Sequence, residues 1–220
     1  MYFFAVDSLN TFKESLLMAA SQGAYKKGKD TRNQILNVAR DLLIDEGYHN
    51  FSLRKVAEHA GIRVGNLQYY FPAKSDLVKA MLDHVIDEYL QDFDDIRGSG
   101  TPEEQFIAVL DDVITDLNRR QTTVFFPELW SLSNHEKGIT RSMDNMYQRY
   151  RGVLAEIIGE INPTLSDAQC QRLALFFTSS IEGHTIFIGH RKPWRSETGN
   201  IVKLASQSFL WLVKNGDIPQ

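Results

Sequence analysis

The apolar positions of this chain recur with a helical period along nearly its whole length from residue 31 on, and no stretch alternates convincingly as a strand does. Ile35, Val38, Ala39, Leu42 and Leu43 form one stripe, which predicts a first helix. It is expected to open at Asp30 or Thr31, where Thr31 and Gln34 have capping-box spacing, and to close at Gly47. Ser52 is placed to cap a short second helix that turns Leu53, Val56, Ala57 and Ala60 to one side. Gly61 and Ile62 mark a turn, a third short helix runs from about Val64 to Tyr70, and Pro72 stops it. A fourth helix begins near Lys74 and Ser75 and keeps its apolar stripe to Phe93, about five turns, long enough to connect two domains rigidly.

The rear half reads the same way. Gly98-Ser99-Gly100 is the clearest linker, and Thr101-Pro102-Glu103-Glu104 restarts a helix with a cap, a proline in first position and a glutamate in third. An aromatic segment, Val124 to Trp130, precedes a long helix that Asn162-Pro163 breaks. Ser166 and Gln169 form a second capping box, opening a helix from about Asp167 to Gly189. After a polar loop from Arg191 to Asn200 the last helix runs to Lys214, and Gly216 ends it. The expected fold class is therefore all-α. Its N-terminal helix-turn-helix three-helix domain (30–75) follows an extension (1–29) and is joined by a connecting helix to a helical bundle (76–220).

Composition narrows the function. Of 220 residues 43% are apolar, enough for a real core, and the single cysteine, Cys170, rules out an intrachain disulfide. The net charge of −4 argues against a protein that coats nucleic acid indiscriminately. The charge is unevenly spread: residues 26–82 hold ten Lys/Arg against six Asp/Glu, whereas residues 83–220 hold thirteen against twenty. A basic front suits phosphate and an acidic rear is repelled by it. No apolar run approaches a membrane span, and MYFFAVDSLN lacks the cationic start and cleavage site of a signal peptide. A cytoplasmic protein is expected. No phosphate loop, nucleophile elbow or paired-carboxylate pattern points to an enzyme, and neither His135-Glu136 nor the His184/His190 pair has metal-ligand spacing. No metal and no cofactor are expected.

Helix, glycine turn, short helix and proline stop form the grammar of a helix-turn-helix. In the third helix Leu67 and Phe71 are the inward i, i+4 pair. Arg63, Val64, Asn66, Gln68, Tyr69 and Tyr70 remain for the outer face or its edges. Asn and Gln can pair with adenine, Arg with guanine and Tyr hydroxyls with phosphate, while Gly65 lets backbone approach a duplex closely. Between Tyr69 and Tyr70, the latter is favoured at the DNA surface. Lys26-Lys27-Gly28-Lys29 reads either as a solvated tail or as an arm reaching phosphate.

The stretch TRNQILNVARDLLIDEGYHNFSLRKVAEHAGIRVGNLQYYFPAKSDLVKAML resembles the N-terminal domain of TetR-type regulators, with spacing kept over about fifty residues. The resemblance implies a DNA-binding three-helix head, a connecting fourth helix and a ligand-binding dimerisation domain. By position it implies that Ser52 caps the second helix and touches phosphate, that Arg54 lies on its exposed side, and that Tyr70 and Lys74 bind phosphate. Two residues depart from the family's pattern. Arg63 stands where a serine is usual and Gln68 where a tyrosine is usual, so operator preference is expected to differ. The segment FFPELWSLSNHEKG is similar to members whose sensor domain is like that of the choline-responsive repressor.

In the rear domain, aromatic and sulfur side chains exceed what a small bundle needs, which suits a partly hollow interior. The expected ligand contacts are Phe106, Leu110, Phe126, Trp130 and Met143, together with Met146, Tyr147, Phe177, Ile181 and His184. Glu128, Glu182 and His184 are polar groups able to orient an effector. An apolar or aromatic effector is favoured over a cationic one held by Trp130 and the tyrosines. The last two long helices are expected to form a four-helix interface in a homodimer. The function expected is a ligand-responsive transcriptional regulator, a repressor released from a palindromic double-stranded DNA operator by a small-molecule effector. The alternative is a helical adaptor or small-molecule-binding protein without DNA binding.

Overall fold

The computed structural model describes residues 28–219, and the Lys26-Lys27 arm and the first ten residues lie outside that span. Among the described residues every regular element is helical. Helix α1 occupies residues 28–50. It is already formed at residue 28, so Thr31 lies inside the helix and does not open it: no breaker stands between residues 28 and 31 to stop the turns continuing upstream. Gly47 takes the left-handed φ of +70° expected of a closing glycine, but α1 runs on past it to residue 50, so the helix does not end there. Helices α2 (Leu53–His59) and α3 (Val64–Tyr70) follow, hinged at Gly61 with φ +66°. The Ser52 hydroxyl accepts from the Lys55 N–H at 3.3 Å and caps α2.

Helix α4 (Lys74–Arg97) runs 24 residues, a turn beyond the expected end at Phe93. Its start is held by the Asp76 carboxylate, which accepts from the Ala73 N–H at 3.0 Å. The bundle is completed by α5 (Pro102–Asp116), α6 (Arg120–Ser133), α7 (Lys137–Ile161), α8 (Asp167–Ile188) and α9 (Thr198–Asn215). A 3₁₀ turn, Arg195–Glu197, sits within the polar loop before α9. Capping boxes are present at Thr101/Glu104 and Ser166/Gln169, as the sequence led one to expect, whereas Thr31/Gln34 does not mark a helix start. The aromatic segment around Phe125 is helical through Pro127, which has no N–H to give the Thr123 carbonyl.

Helix α7 is the axis of the bundle, packing on α4, α5, α6 and α8. The apolar interior has two parts. A front core unites α1, α2 and α3 with Leu77, Met81 and Leu82 of α4, Phe125 and Leu129 of α6, and Met143 of α7. A rear core unites Phe93 of α4 with Phe106 of α5, Leu154 of α7, Phe177 of α8 and Phe209 of α9. The front core therefore does not stop at residue 75. Leu90 and Tyr147 pack against both parts.

The rear end of α4 is clamped. Arg97 makes a bidentate pair with Glu160 at 2.7 and 2.8 Å and donates to the Gln105 Oε1 at 2.6 Å. The amide of buried Gln105 donates to the carbonyls of Arg97, Ser99 and Gly100 at 3.2–3.3 Å, tying the linker to α5. Gln105→Ala should strand these carbonyls and lower stability by about 1–3 kcal/mol. Urea unfolding measures this as a lower midpoint at constant m-value; an unchanged midpoint would show that water replaces the amide at no cost.

Candidate functional site

Two regions carry chemistry, the outer face of α3 and a chamber behind it. In α3 the inward pair is seated in the front core: Leu67 is fully buried and Phe71 nearly so. Arg63, Val64, Gly65, Asn66, Gln68 and Tyr69 are exposed. Arg63 forms the N-cap without using its side chain there, so its guanidinium is not spent on capping α3. A side chain at Gly65 would meet nothing of this chain within 4 Å, which leaves the backbone of the helix start open to a partner. Arg54 is exposed on α2 and Ser52 half-buried at its start.

The two tyrosines are placed the other way round from expectation. Tyr69 stands free at 84% exposure, while Tyr70 is the half-buried one, packed on the front core. The reason is the helical period: Tyr70 follows Leu67 by three residues and precedes Phe71, on the edge of the inward stripe. Lys74 is partly committed to its own chain. Its Nζ donates to the Tyr48 carbonyl at 2.9 Å and lies 3.6 Å from the Tyr48 ring centroid. Burial lowers its pKa, with the Glu136 carboxylate acting the other way. Lys55 pairs with Glu46 and Arg40 with Glu88, both within the chain.

Behind the head, a chamber of about 60 Å³ lies at the seam between the two cores. Helix α4 contributes Ile86, Tyr89, Leu90 and Phe93 to it. Helix α5 contributes Val113 and Asp116, with Leu117 just beyond, and α6 contributes Thr122 and Phe126. Met146, Tyr147 and Tyr150 come from α7 and Glu182 from α8. Of the expected ligand contacts, Phe126, Met146 and Tyr147 line this space. Phe106, Leu110, Phe177 and Ile181 lie in the rear core and Met143 in the front core, not among the lining residues. Trp130 stands behind the wall, its Nε1–H donating to the Tyr147 hydroxyl at 2.8 Å. His184 is half-buried away from the chamber, and burial lowers its pKa. Glu128 braces the head, accepting from the Tyr48 N–H at 3.3 Å.

The α4 residues of this wall were legible only as core stripe. Whether a stripe closes or leaves a gap depends on how side chains from four other helices mesh, and period carries no trace of that. Asp116 closes one side of the chamber. It accepts hydrogen bonds from Tyr89 and Thr122 and pairs with the Arg119 Nε at 3.0 Å, so its charge is met. Tyr89, Asp116, Thr122 and Phe126 also line an outer groove of about 460 Å³ reached between α4 and α6. On the opposite side Glu182 is partly covered as a residue, with its carboxyl in the chamber wall. Desolvation there pushes its pKa up to about 7, with the Tyr147 hydroxyl bond acting the other way.

Glu182 therefore costs stability once ionised. Its contribution is fully present below its ordinary value near 4.5 and is lost as the pH rises towards about 7. Glu182→Gln should raise the melting temperature by a few degrees at pH 8 and leave it unchanged at pH 4. Thermal unfolding followed by circular dichroism at the two pH values checks this; an equal shift at both would trace the effect to packing.

Comparison with known proteins follows the same division. A family model described as bacterial regulatory proteins, tetR family, matches residues 35–81. A second, described as BetI-type transcriptional repressor, C-terminal, matches residues 102–197. The chain is 39% identical over 77 residues to the HTH-type transcriptional regulator RutR of Escherichia coli K12, a match covering 32% of this chain and 36% of that protein. It is 32% identical over 72 residues to an HTH-type transcriptional regulator of Staphylococcus aureus USA300, covering 33% of this chain and 39% of that one. These matches thus span little more than a third of the curated relatives' length. Among solved structures, a TetR transcription regulator of Haloarcula marismortui superimposes with TM-score 0.68 at 16% identity, over 84% of this chain and 97% of that chain. The regulator FadR of Bacillus subtilis, solved with stearoyl-CoA, superimposes with TM-score 0.64 at 18% identity, over 83% and 97%. At these identities the superpositions bear on the fold.

Proposed function

This chain belongs to the TetR family of bacterial regulatory proteins, whose two models together cover more than half of it, and on that premise we propose that it is a DNA-binding repressor released by a small-molecule effector. The observation that carries the reading is the open outer face of α3. A helix that commits Leu67 and Phe71 to the core and leaves Arg63, Asn66, Gln68 and Tyr69 to solvent is built to meet a duplex. Arg63 and Gln68 read base edges, Tyr69 and the remaining N–H groups of Lys74 bind phosphate, and Arg54 and Ser52 contact the backbone from α2. The basic front meets the duplex and the acidic rear points away from it.

The partner of the rear domain is a second copy of the chain. Helices α8 and α9 leave Leu175, Phe176, Ile186, Phe187, Leu204 and Trp211 largely exposed, an apolar surface that a monomer does not keep uncovered. Pairing these helices across a two-fold axis presents two α3 helices to successive major grooves, and the operator is then a near-palindrome.

The chamber is the effector site. It takes in the flank of α4, the element that carries the head, and its present volume is too small for an effector of drug size. An effector that enters must push α4 away from α7, and this separates the two reading heads. It binds the spread state better than the DNA-bound state, and that difference in affinity sets how far DNA release proceeds.

A duplex selected from a random pool by the wild-type protein provides the test. Arg63→Ala and Gln68→Ala should each weaken binding to that duplex by about 1–3 kcal/mol and leave binding to random duplexes little changed. Tyr69→Phe should weaken both alike. Fluorescence anisotropy at physiological salt reads these differences. Indifference of the wild-type protein to every duplex would favour the adaptor alternative and sink the proposal.

A further inference from the structure

The polar groups of the chamber are unevenly satisfied. Asp116 is saturated by Tyr89, Thr122 and Arg119, whereas Tyr150 is not: its hydroxyl oxygen is inaccessible and has no hydrogen-bond partner, in a residue only 8% exposed. A buried hydroxyl without a partner on a chamber wall offers an oxygen to a ligand that enters. Glu182 shares the space with it and takes a hydrogen bond from the Tyr147 hydroxyl, and an ionised carboxylate has further lone pairs to offer a donor. Tyr89, Phe93, Phe126, Tyr147 and Tyr150 supply aromatic surface around the two groups. Among the described residues that line the chamber there is no lysine, arginine or histidine.

Taking the chamber as the effector site, we infer that its ligand is a compact primary amine bound as the ammonium, with N–H donors on the Glu182 carboxylate and the Tyr150 oxygen and its hydrocarbon body extending towards the groove between α4 and α6. An anion meets the Glu182 carboxylate and no cationic side chain among the lining residues. A neutral alcohol gains nothing from the carboxylate's charge. A quaternary ammonium attracts the carboxylate and the rings but carries no N–H for the two acceptors. The small head of a primary amine meets all of these conditions.

The inference also fixes a pH dependence. The titratable groups that share the chamber with Glu182 are Tyr89 of α4, Asp116 of α5, and Tyr147 and Tyr150 of α7. Asp112 acts on Tyr150 from α5, and Arg119 is paired with Asp116. The three tyrosines are held neutral, their pKa values pushed up first by burial. The proton that moves at neutral pH therefore sits on Glu182, and an ammonium must displace it at low pH.

The test uses the purified full-length protein without DNA, titrated with butylamine, butan-1-ol and tetramethylammonium by calorimetry or ligand-observed NMR. At pH 8 butylamine should bind about tenfold more tightly than the alcohol and the quaternary ion. Glu182→Gln should remove that advantage, and Tyr150→Phe should reduce it several-fold with the circular dichroism spectrum unchanged. Lowering the pH to 6 should weaken butylamine about tenfold and leave butan-1-ol unaffected. Equal affinity for amine and alcohol, a preference for the quaternary ion, no binding of any of the three, or an amine preference that survives in Glu182→Gln would each overturn the inference. Failure of the regulator reading shows separately, as loss of duplex binding in the anisotropy experiment.

Discussion

Helix α4 is a single rigid rod that buries side chains in two cores at once. Its first half, through Leu77, Met81 and Leu82, belongs to the core that holds the helix-turn-helix together, and its second half, through Phe93, belongs to the core of the rear bundle. Close-packed interiors do not deform smoothly. A displacement of α4 at either end must therefore be answered at the other, and Arg97, bonded to Glu160 and Gln105, ties the rear end. The chamber lies where the two cores meet, between α4 and α7, the helices that bury side chains in both.

Helix α6 reinforces the same coupling. Phe126 and Thr122 face the chamber, whereas Phe125 and Leu129, on the other side of the same helix, pack into the core of the reading head. Arg120 pairs with Asp45 and donates to the Ile44 carbonyl at 3.2 Å, and Glu128 accepts from Tyr48, so the C-terminal end of α1 is bonded to α6 along its length. The head is thus not a bead on a string. It is held by α4 covalently and by α6 through packing and charge-assisted hydrogen bonds.

The polar residues of the interior divide by whether their needs are met. Asp116 is surrounded by donors and an arginine, and it serves as part of the wall. Tyr150 keeps a buried hydroxyl without a partner and Glu182 a carboxyl whose ionised form burial disfavours, which is costly for a fold and useful for a binding site. The same contrast appears at Lys74, where half of the residue's work is holding Tyr48 in place.

What the residues determined alone was the local grammar. Caps at Ser52, Thr101 and Ser166, the glycine turn at Gly61, and the apolar period of each helix depend on neighbours a few positions away, and the structure has them at those positions. The inward seats of Leu67 and Phe71, and the open face that follows from them, come from the same period. Tertiary structure decided everything that depends on several helices meeting. The i, i+3 relation to Leu67 already set Tyr70 at the edge of the inward stripe, and packing on the head's core completed its half-burial while Tyr69 stayed outward. Tertiary structure sent Phe106, Leu110, Phe177 and Ile181 into solid core and opened the chamber beside Tyr89, Phe93 and Tyr150. A hydrophobic residue looks the same in sequence whether its neighbours from other helices fill the space in front of it or leave a gap, because that gap is set by the relative placement of helices far apart in the chain.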